Sequence, residues 1–229
     1  EYDYRIKETL KNCENLLNKL EIQYTKETDL VLLENKIPEI ADKINQIKAT
    51  KDGGYFIIGN YASSSITIGS FYMENYSNDD GFLIKYDKKG EMEYLKSIGR
   101  DGYDYIKSID ENENELCLIA GSSNSNEIKL GNNKRILNVG SYDGIILEFN
   151  KDEISNPVVT QIEGIAGRYG QQIYSMENTE DGGYIVGAAL EGASIDLGNG
   201  IYYTSDSNWN SSAAIIKYNA ENQCEWVKA

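Results

Sequence analysis

The octapeptide DGGYFIIG, running from Asp52 to Gly59, returns as DGGYIVGA from Asp181 to Ala188, and a weaker copy, NELCLIAG, lies between them from Asn114 to Gly121. Asp-Gly-Gly ahead of an apolar run reads as a tight turn feeding a strand, because glycine tolerates the positive φ that such turns demand. Working outward, four more landmarks recur in the same order. Upstream, Ile44-x-x-Ile47 is repeated by Ile106-x-x-Ile109 and Ile173-x-x-Met176, at offsets of 62 (106 − 44) and 67 (173 − 106). Downstream, SITIGS at Ser65 is echoed by EIKLGN at Glu127 and SIDLGN at Ser194, and DGFLIKYD at Asp80 by DGIILEFN at Asp143 and AAIIKYN at Ala213. Last, EMEYLKSIG at Glu91 corresponds to PVVTQIEGIAG at Pro157 and CEWVKA at Cys224. Five landmarks in one order, three times over, define an internal repeat.

Each copy reads as strand, turn, strand, small hairpin, strand, turn, strand. Asp87-Lys88-Lys89-Gly90 and Asn219-Ala220-Glu221-Asn222 mark the last turn in copies one and three, and Asn199-Gly200 is a two-residue hairpin signal in copy three. Four antiparallel strands at this period predict an all-β chain of consecutive four-stranded β-propeller blades, about 41–102, 103–169 and 170–229. Three blades leave a ring incomplete, so further blades or self-assembly are expected. Residues 1–40 are different. Ile6, Leu10, Cys13, Leu17, Leu20 and Tyr24 step by four and three, predicting a helical segment that docks on a neighbour or self-associates as a coiled coil through residues 1–30.

The 229 residues carry 22 Lys+Arg against 37 Asp+Glu, a net charge of −15, which opposes a nucleic-acid backbone or an anionic membrane. No apolar stretch approaches the roughly 18 residues of a membrane span. The absence of histidine removes imidazole relays and His-bearing zinc sites. Three widely spaced cysteines imply neither a disulfide framework nor a metal ribbon, and Cys117, in an apolar run, reads as a core residue. Ser77-x-Asp79-Asp80-Gly81 has the outline of a sialidase Asp-box, but its equivalents lose the spacing, so it reads as an Asp-Gly turn. Glu111, Glu113 and Glu115 read as solvated turn carboxylates, and no loop has the spacing of a calcium site. No catalytic residue, cofactor or metal is therefore predicted.

The five ordered motifs resemble bacterial β-propeller repeat proteins of the SBBP type, in the divergent form found in low-GC Gram-positive bacteria. The resemblance covers residues 42–229. It implies a secreted or cell-surface interaction module and brings no catalytic residues with it.

Within a blade, the connections between strands two and three and those between blades share one end, with the other turns at the opposite end. That places Tyr72, Tyr76, Tyr103, Tyr142, Tyr169 and Trp209, with Arg100 and Arg168, on one rim. Exposed Tyr, Trp and Arg are the side chains of recognition surfaces, so this rim is the expected site for a protein or glycan ligand. The opposite end is expected to be acidic and solvated. The rival readings are a carbohydrate-active enzyme, which requires paired carboxylates on the aromatic rim, and a structural spacer oligomerised by the N-terminal helix.

Overall fold

A computed structural model of the chain describes residues 42–75, 78–99, 101–112, 116–126, 128–130, 132–134, 141–150, 159–165, 169–205 and 211–229. The heptad segment over residues 1–40 lies outside them. The first repeat contains β1 (Lys43–Ala49), β2 (Tyr55–Tyr61), a hairpin of β3 (Ser65–Ile68) and β4 (Phe71–Glu74), then β5 (Asp80–Tyr86) and β6 (Met92–Ile98). The second contains β7 (Asp104–Glu111), β8 (Leu116–Ser123), the short pair β9 (Ile128–Leu130) and β10 (Asn132–Lys134), β11 (Asp143–Asn150) and β12 (Val159–Ile165). The third contains β13 (Gln171–Asn178), β14 (Tyr184–Glu191), the hairpin β15 (Ser194–Asp196) and β16 (Tyr202–Thr204), β17 (Ser211–Tyr218) and β18 (Cys224–Lys228). Each repeat forms one four-stranded antiparallel sheet, in the orders β1-β2-β5-β6, β7-β8-β11-β12 and β13-β14-β17-β18, with its small hairpin as a separate two-stranded sheet.

The Asp-Gly-Gly turn closes the same way in the first and third repeats. Gly53 N–H donates to the Thr50 carbonyl at 3.0 Å and Thr50 N–H to the Gly54 carbonyl at 2.9 Å, and Gly182 and Thr179 repeat both bonds. Gly53 and Gly182 sit at φ +87° and +83°, the left-handed conformation the sequence predicts. The second glycine serves a different need. A Cβ on Gly54 would lie 2.2 Å from the Tyr86 carbonyl oxygen and 2.5 Å from Lys85 Nζ, and one on Gly183 would meet Tyr218 and Lys217 in the same way. Beneath each turn runs a buried lysine. Lys85 Nζ lies 3.0 Å from Asp52 and 3.2 Å from Glu93 and donates to the Tyr86 carbonyl at 2.9 Å. Lys217 repeats this with Asp181, Glu225 and Tyr218. The Asn199-Gly200 turn differs from the two-residue reading. Leu197 and Ile201 still pair, and Gly198, Asn199 and Gly200, all at positive φ, form a three-residue loop.

The three sheets stack face to face in chain order. Alternate residues of each strand face opposite ways. Phe56, Ile58 and Leu83 of the first sheet therefore meet Cys117, Ile119, Ile145, Leu147 and Phe149 of the second in one core. Leu118, Ala120 and Ile146 of the second meet Tyr184, Val186, Ala214, Ile216 and Tyr218 of the third in another. Cys117 is thus a core residue, as expected. The opposite face of the first sheet, with Ile57, Phe82, Ile84 and Tyr86, is packed by Met73 and partly buried Ile66 and Ile68 of the β3–β4 hairpin. Among the described residues the sheets form an open stack with no closed ring.

Asp80-Gly81 and Asp143-Gly144 open strands β5 and β11 and are not turns, which corrects the sequence reading. The glycines exist for the neighbouring sheet. A Cβ on Gly81 would stand 2.2 Å from Ile106 Cγ1, and one on Gly144 3.1 Å from Ile173 Cγ1. Each isoleucine of the next repeat's first strand thus sits on a bare stretch of backbone. The first strands also bulge at equivalent places, between Ile44 and Gln46, Ile106 and Ser108, and Ile173 and Ser175. The residue after the bulge links adjacent sheets: Gln46 Oε1 accepts Ile109 N–H at 2.6 Å, and Ser108 Oγ accepts Met176 N–H and donates to the Met176 carbonyl, both at 3.1 Å. Ser108→Ala is expected to lower stability by about 2 kcal/mol, since it strips a buried two-way bridge; urea denaturation of the variant checks this.

Candidate functional site

The chain crosses from each sheet to the next at the end that carries the small hairpins. There Asp79 pairs in parallel with Tyr103, and Tyr142 with Gly170. Asp104 N–H donates to the Asp79 carbonyl, and Gln171 N–H to the Tyr142 carbonyl, each at 2.7 Å. Tyr103 is held further by Asn124, whose Oδ1 accepts its N–H at 2.6 Å and whose N–H donates to its carbonyl at 3.1 Å. The rings that result lie in a row. Tyr103 stacks on Tyr105 with centroids 6.2 Å apart, and Tyr105 on Tyr142 at 6.0 Å, with planes within 30° in both pairs. Tyr103 is 37% exposed, and Tyr105 and Tyr142 are half-buried.

Charges border this row. The Tyr105 hydroxyl donates to Asp79 Oδ2 at 3.3 Å, and Lys107 Nζ lies 5.5 Å from the Tyr105 ring centroid, a cation–π contact. Burial first, and then the Asp79 carboxylate, push the Tyr105 phenol well above its ordinary range, and burial likewise raises Tyr142. Both phenols therefore stay protonated across the physiological range, and the Tyr105 hydroxyl serves as a donor to Asp79. An aromatic row with one carboxylate and one ammonium at its border can cover the apolar face of a partner while offering hydrogen bonds at its edge.

Of the rim residues expected from sequence, the structure brings Tyr103 and Tyr142 together. Tyr169 lies at the next crossing, where its Cδ2 would be 3.3 Å from a Cβ on Gly192. Tyr72 sits in strand β4, exposed, with its hydroxyl donating to Glu74 at 3.1 Å, and takes no part in the stack. Tyr76, Arg100, Arg168 and Trp209 lie outside the described residues. The sequence reading missed Tyr105 and Lys107. The Tyr103-x-Tyr105 spacing was the available signal, since residues two apart on a strand face the same way.

Two carboxylates come close together behind this surface. Asp80 Oδ1 and Asp104 Oδ2 each lie 2.6 Å from where a Cβ of Gly99 would stand, and both residues are wholly buried. Asp104 accepts hydrogen bonds from the Ser123 hydroxyl and, at 2.6 Å, from that of Ser125, so it anchors the start of β7. Among the described residues no group of three Asp, Glu or Cys is arranged to hold a metal ion.

The opposite end of the stack is acidic, but only partly solvated. A cleft of about 390 Å³ there is bordered by Lys48, Asp110 and Glu177 from the three first strands. Lys48 Nζ reaches Asp110 at 2.8 Å and Glu177 at 3.4 Å. Glu111 is buried and accepts Lys51 N–H at 2.8 Å, where the sequence reading placed a solvated carboxylate. It is a link between sheets. Glu113 and Glu115 lie outside the described residues.

No protein-family model and no curated protein sequence matches the chain.

Proposed function

We propose that the chain is a non-enzymatic recognition module of β-propeller type, built from three consecutive blades, which binds a protein or glycan through the aromatic surface at the crossing end of its sheets. The observation that carries this reading is the row Tyr103–Tyr105–Tyr142 of the second repeat, bordered by Asp79 of the first and by Lys107. Rigid aromatic side chains supply large contact area at small entropic cost and dominate binding hot spots. The blade assignment is supported by three sheets of the same order, each with its extra hairpin between the second and third strands, stacked with their first strands in contact. The resemblance to secreted repeat proteins supports an extracellular or cell-surface location.

The test is a glycan array and a panel of purified surface proteins, probed with the full chain and with a Tyr103→Ala, Tyr142→Ala double variant. The double variant is expected to lose at least about tenfold in affinity for whatever the parent binds. A ligand held equally well by both proteins overturns the assignment of this surface.

A further inference from the structure

We infer that Asn199-Gly200 is a site of spontaneous covalent modification, at which the Asn199 amide is lost as ammonia and the tie it makes to strand β18 is released. The chemistry needs water and no enzyme or cofactor. The backbone nitrogen of Gly200, on giving up its proton, attacks the side-chain carbonyl carbon of Asn199. The new N–C bond closes a succinimide ring, the Cγ–Nδ2 bond breaks, and the amide nitrogen takes up a proton and leaves as ammonia. Water then opens the ring at either carbonyl. One opening gives aspartate; the other gives isoaspartate, with the side-chain carbon now part of the main chain. Nothing is oxidised or reduced.

The loop supplies what the reaction requires. Asn199-Gly200 is the one Asn-Gly pair in the sequence, and glycine puts no side chain in the way of its own nitrogen. Gly198, Asn199 and Gly200 are exposed, while Ile195, Leu197 and Tyr203 on either side are buried in the core. The bonds that close the loop are Leu197 N–H to the Ile201 carbonyl, Ile201 N–H to the Gly198 carbonyl, and Gly198 N–H to Asp196 Oδ1. The Gly200 N–H makes no hydrogen bond among the described residues, so the attacking nitrogen is open to solvent. There is also room to move. Nothing lies within 4 Å of a Cβ position on Gly198 or Gly200, so the backbone can swing towards the Asn199 side chain without meeting a neighbour. The turn itself selects the pair: Asn199 sits at φ +52° and Gly200 at +72°, a left-handed conformation that glycine and asparagine tolerate best. Asn124-Ser125 provides the contrast. Ser125 is buried with its N–H bonded to Ser123 Oγ at 3.0 Å, and Asn124 Oδ1 accepts the Tyr103 N–H at 2.6 Å.

The consequence falls on the third sheet. Asn199 Nδ2 donates to the Cys224 carbonyl at 3.1 Å, which joins the loop to the start of β18. A carboxylate in place of the amide sets an acceptor against an acceptor, so the bond is lost. Isoaspartate adds a further main-chain atom to a loop whose length is fixed by the pairing of Leu197 with Ile201. Neither change involves the aromatic surface or its ligand.

The experiment is peptide mapping by mass spectrometry of the full chain held at mildly alkaline pH, folded and, in parallel, unfolded in guanidinium chloride. The folded chain is expected to convert Asn199 to aspartate and isoaspartate within severalfold of the unfolded rate, with ammonia released in step, while Asn124 keeps its amide. Gly200→Ala is expected to slow the conversion severalfold in both conditions, so the comparison does not depend on how well that variant folds. An Asn199 that converts unfolded but stays intact in the folded chain overturns the proposal, because the loop then protects it. So does an Asn124 that converts as fast as Asn199 in the folded chain. Asn199→Asp makes the product directly and is expected to lower the folding equilibrium constant about five- to tenfold in urea denaturation, the net worth of one hydrogen bond. An Asn199→Asp variant as stable as the parent overturns the release of β18.

Discussion

Gly54→Ala lowers the stability of the chain by about 3 kcal/mol, while Gly53→Ala, one residue earlier in the same turn, costs about 1 kcal/mol. This is the expected result of urea denaturation, and it reverses the order that backbone conformation alone implies. Gly53 has φ +87°, so a side chain there is strained, but the nearest atom to its Cβ, on Lys88, is 3.4 Å away. Gly54 is not among the residues with positive φ, yet its Cβ would overlap the Tyr86 carbonyl oxygen at 2.2 Å and the Lys85 ammonium at 2.5 Å. The carbonyl belongs to a paired strand and cannot retreat without opening the β2–β5 ladder. Gly69→Ala serves as the control: φ is +59° and nothing lies within 4 Å of the added atom, so it follows Gly53 and not Gly54. Equal losses at Gly53 and Gly54 would remove the steric account.

The second large effect is at Lys85. Its side chain is 2% exposed, held between Asp52, Glu93 and the Tyr86 carbonyl, with its charge 5.7 Å from the Phe56 ring. Lys85→Ala is expected to cost about 3 to 5 kcal/mol, since it takes the counter-charge from Asp52 and Glu93, removes one bond to the Tyr86 carbonyl and leaves a gap where the aliphatic stem packed. Lys85→Met restores the volume and is expected to cost about 1 to 2 kcal/mol, the share of the lost carbonyl bond. The pH dependence follows from Asp52. Burial raises its pKa, but the Thr50 hydroxyl, Gly54 N–H and Lys85 outweigh burial and hold it at about 2, against an ordinary 3.8. A depressed carboxylate stabilises the fold fully above its unfolded pKa, and that contribution fades as pH falls from about 4 through about 2. In Lys85→Met the Asp52 titration should move up towards 3.8, read by NMR of the carboxyl carbon. An unmoved Asp52 would show that Thr50 and Gly54 hold it alone. Asp181, bonded by Thr179 and Lys217, is depressed in the same way in the third repeat.

Much of the architecture is local and was therefore legible in the chain. The Asp-Gly-Gly turns, the period-two strands and the hairpin between the second and third strands follow from glycine conformation and side-chain alternation, which neighbouring residues settle among themselves. The repeat order predicted three sheets of one topology, and it placed Tyr103 and Tyr142 at the same end. The candidate surface was half visible. Tyr105 reads as an ordinary strand residue until the crossing brings Tyr142, thirty-seven positions later (142 − 105), against its ring.

What tertiary structure alone decided are the contacts between repeats, whose partners lie tens of residues apart. The sequence by itself shows Asp-Gly at residues 80–81 and 143–144 and suggests a turn. Only the stacking shows that Gly81 and Gly144 are bare so that Ile106 and Ile173 can approach, and that Asp80 and Asp143 are buried at the starts of strands. Glu111 reads as a solvated acid because its neighbours are polar, but its role is set by Lys51 across the junction. Composition and spacing determine which strands form and where they turn, since those preferences act over a few bonds. The faces that meet and the glycines that cannot be replaced are set by close packing between sheets, which no short window of sequence contains.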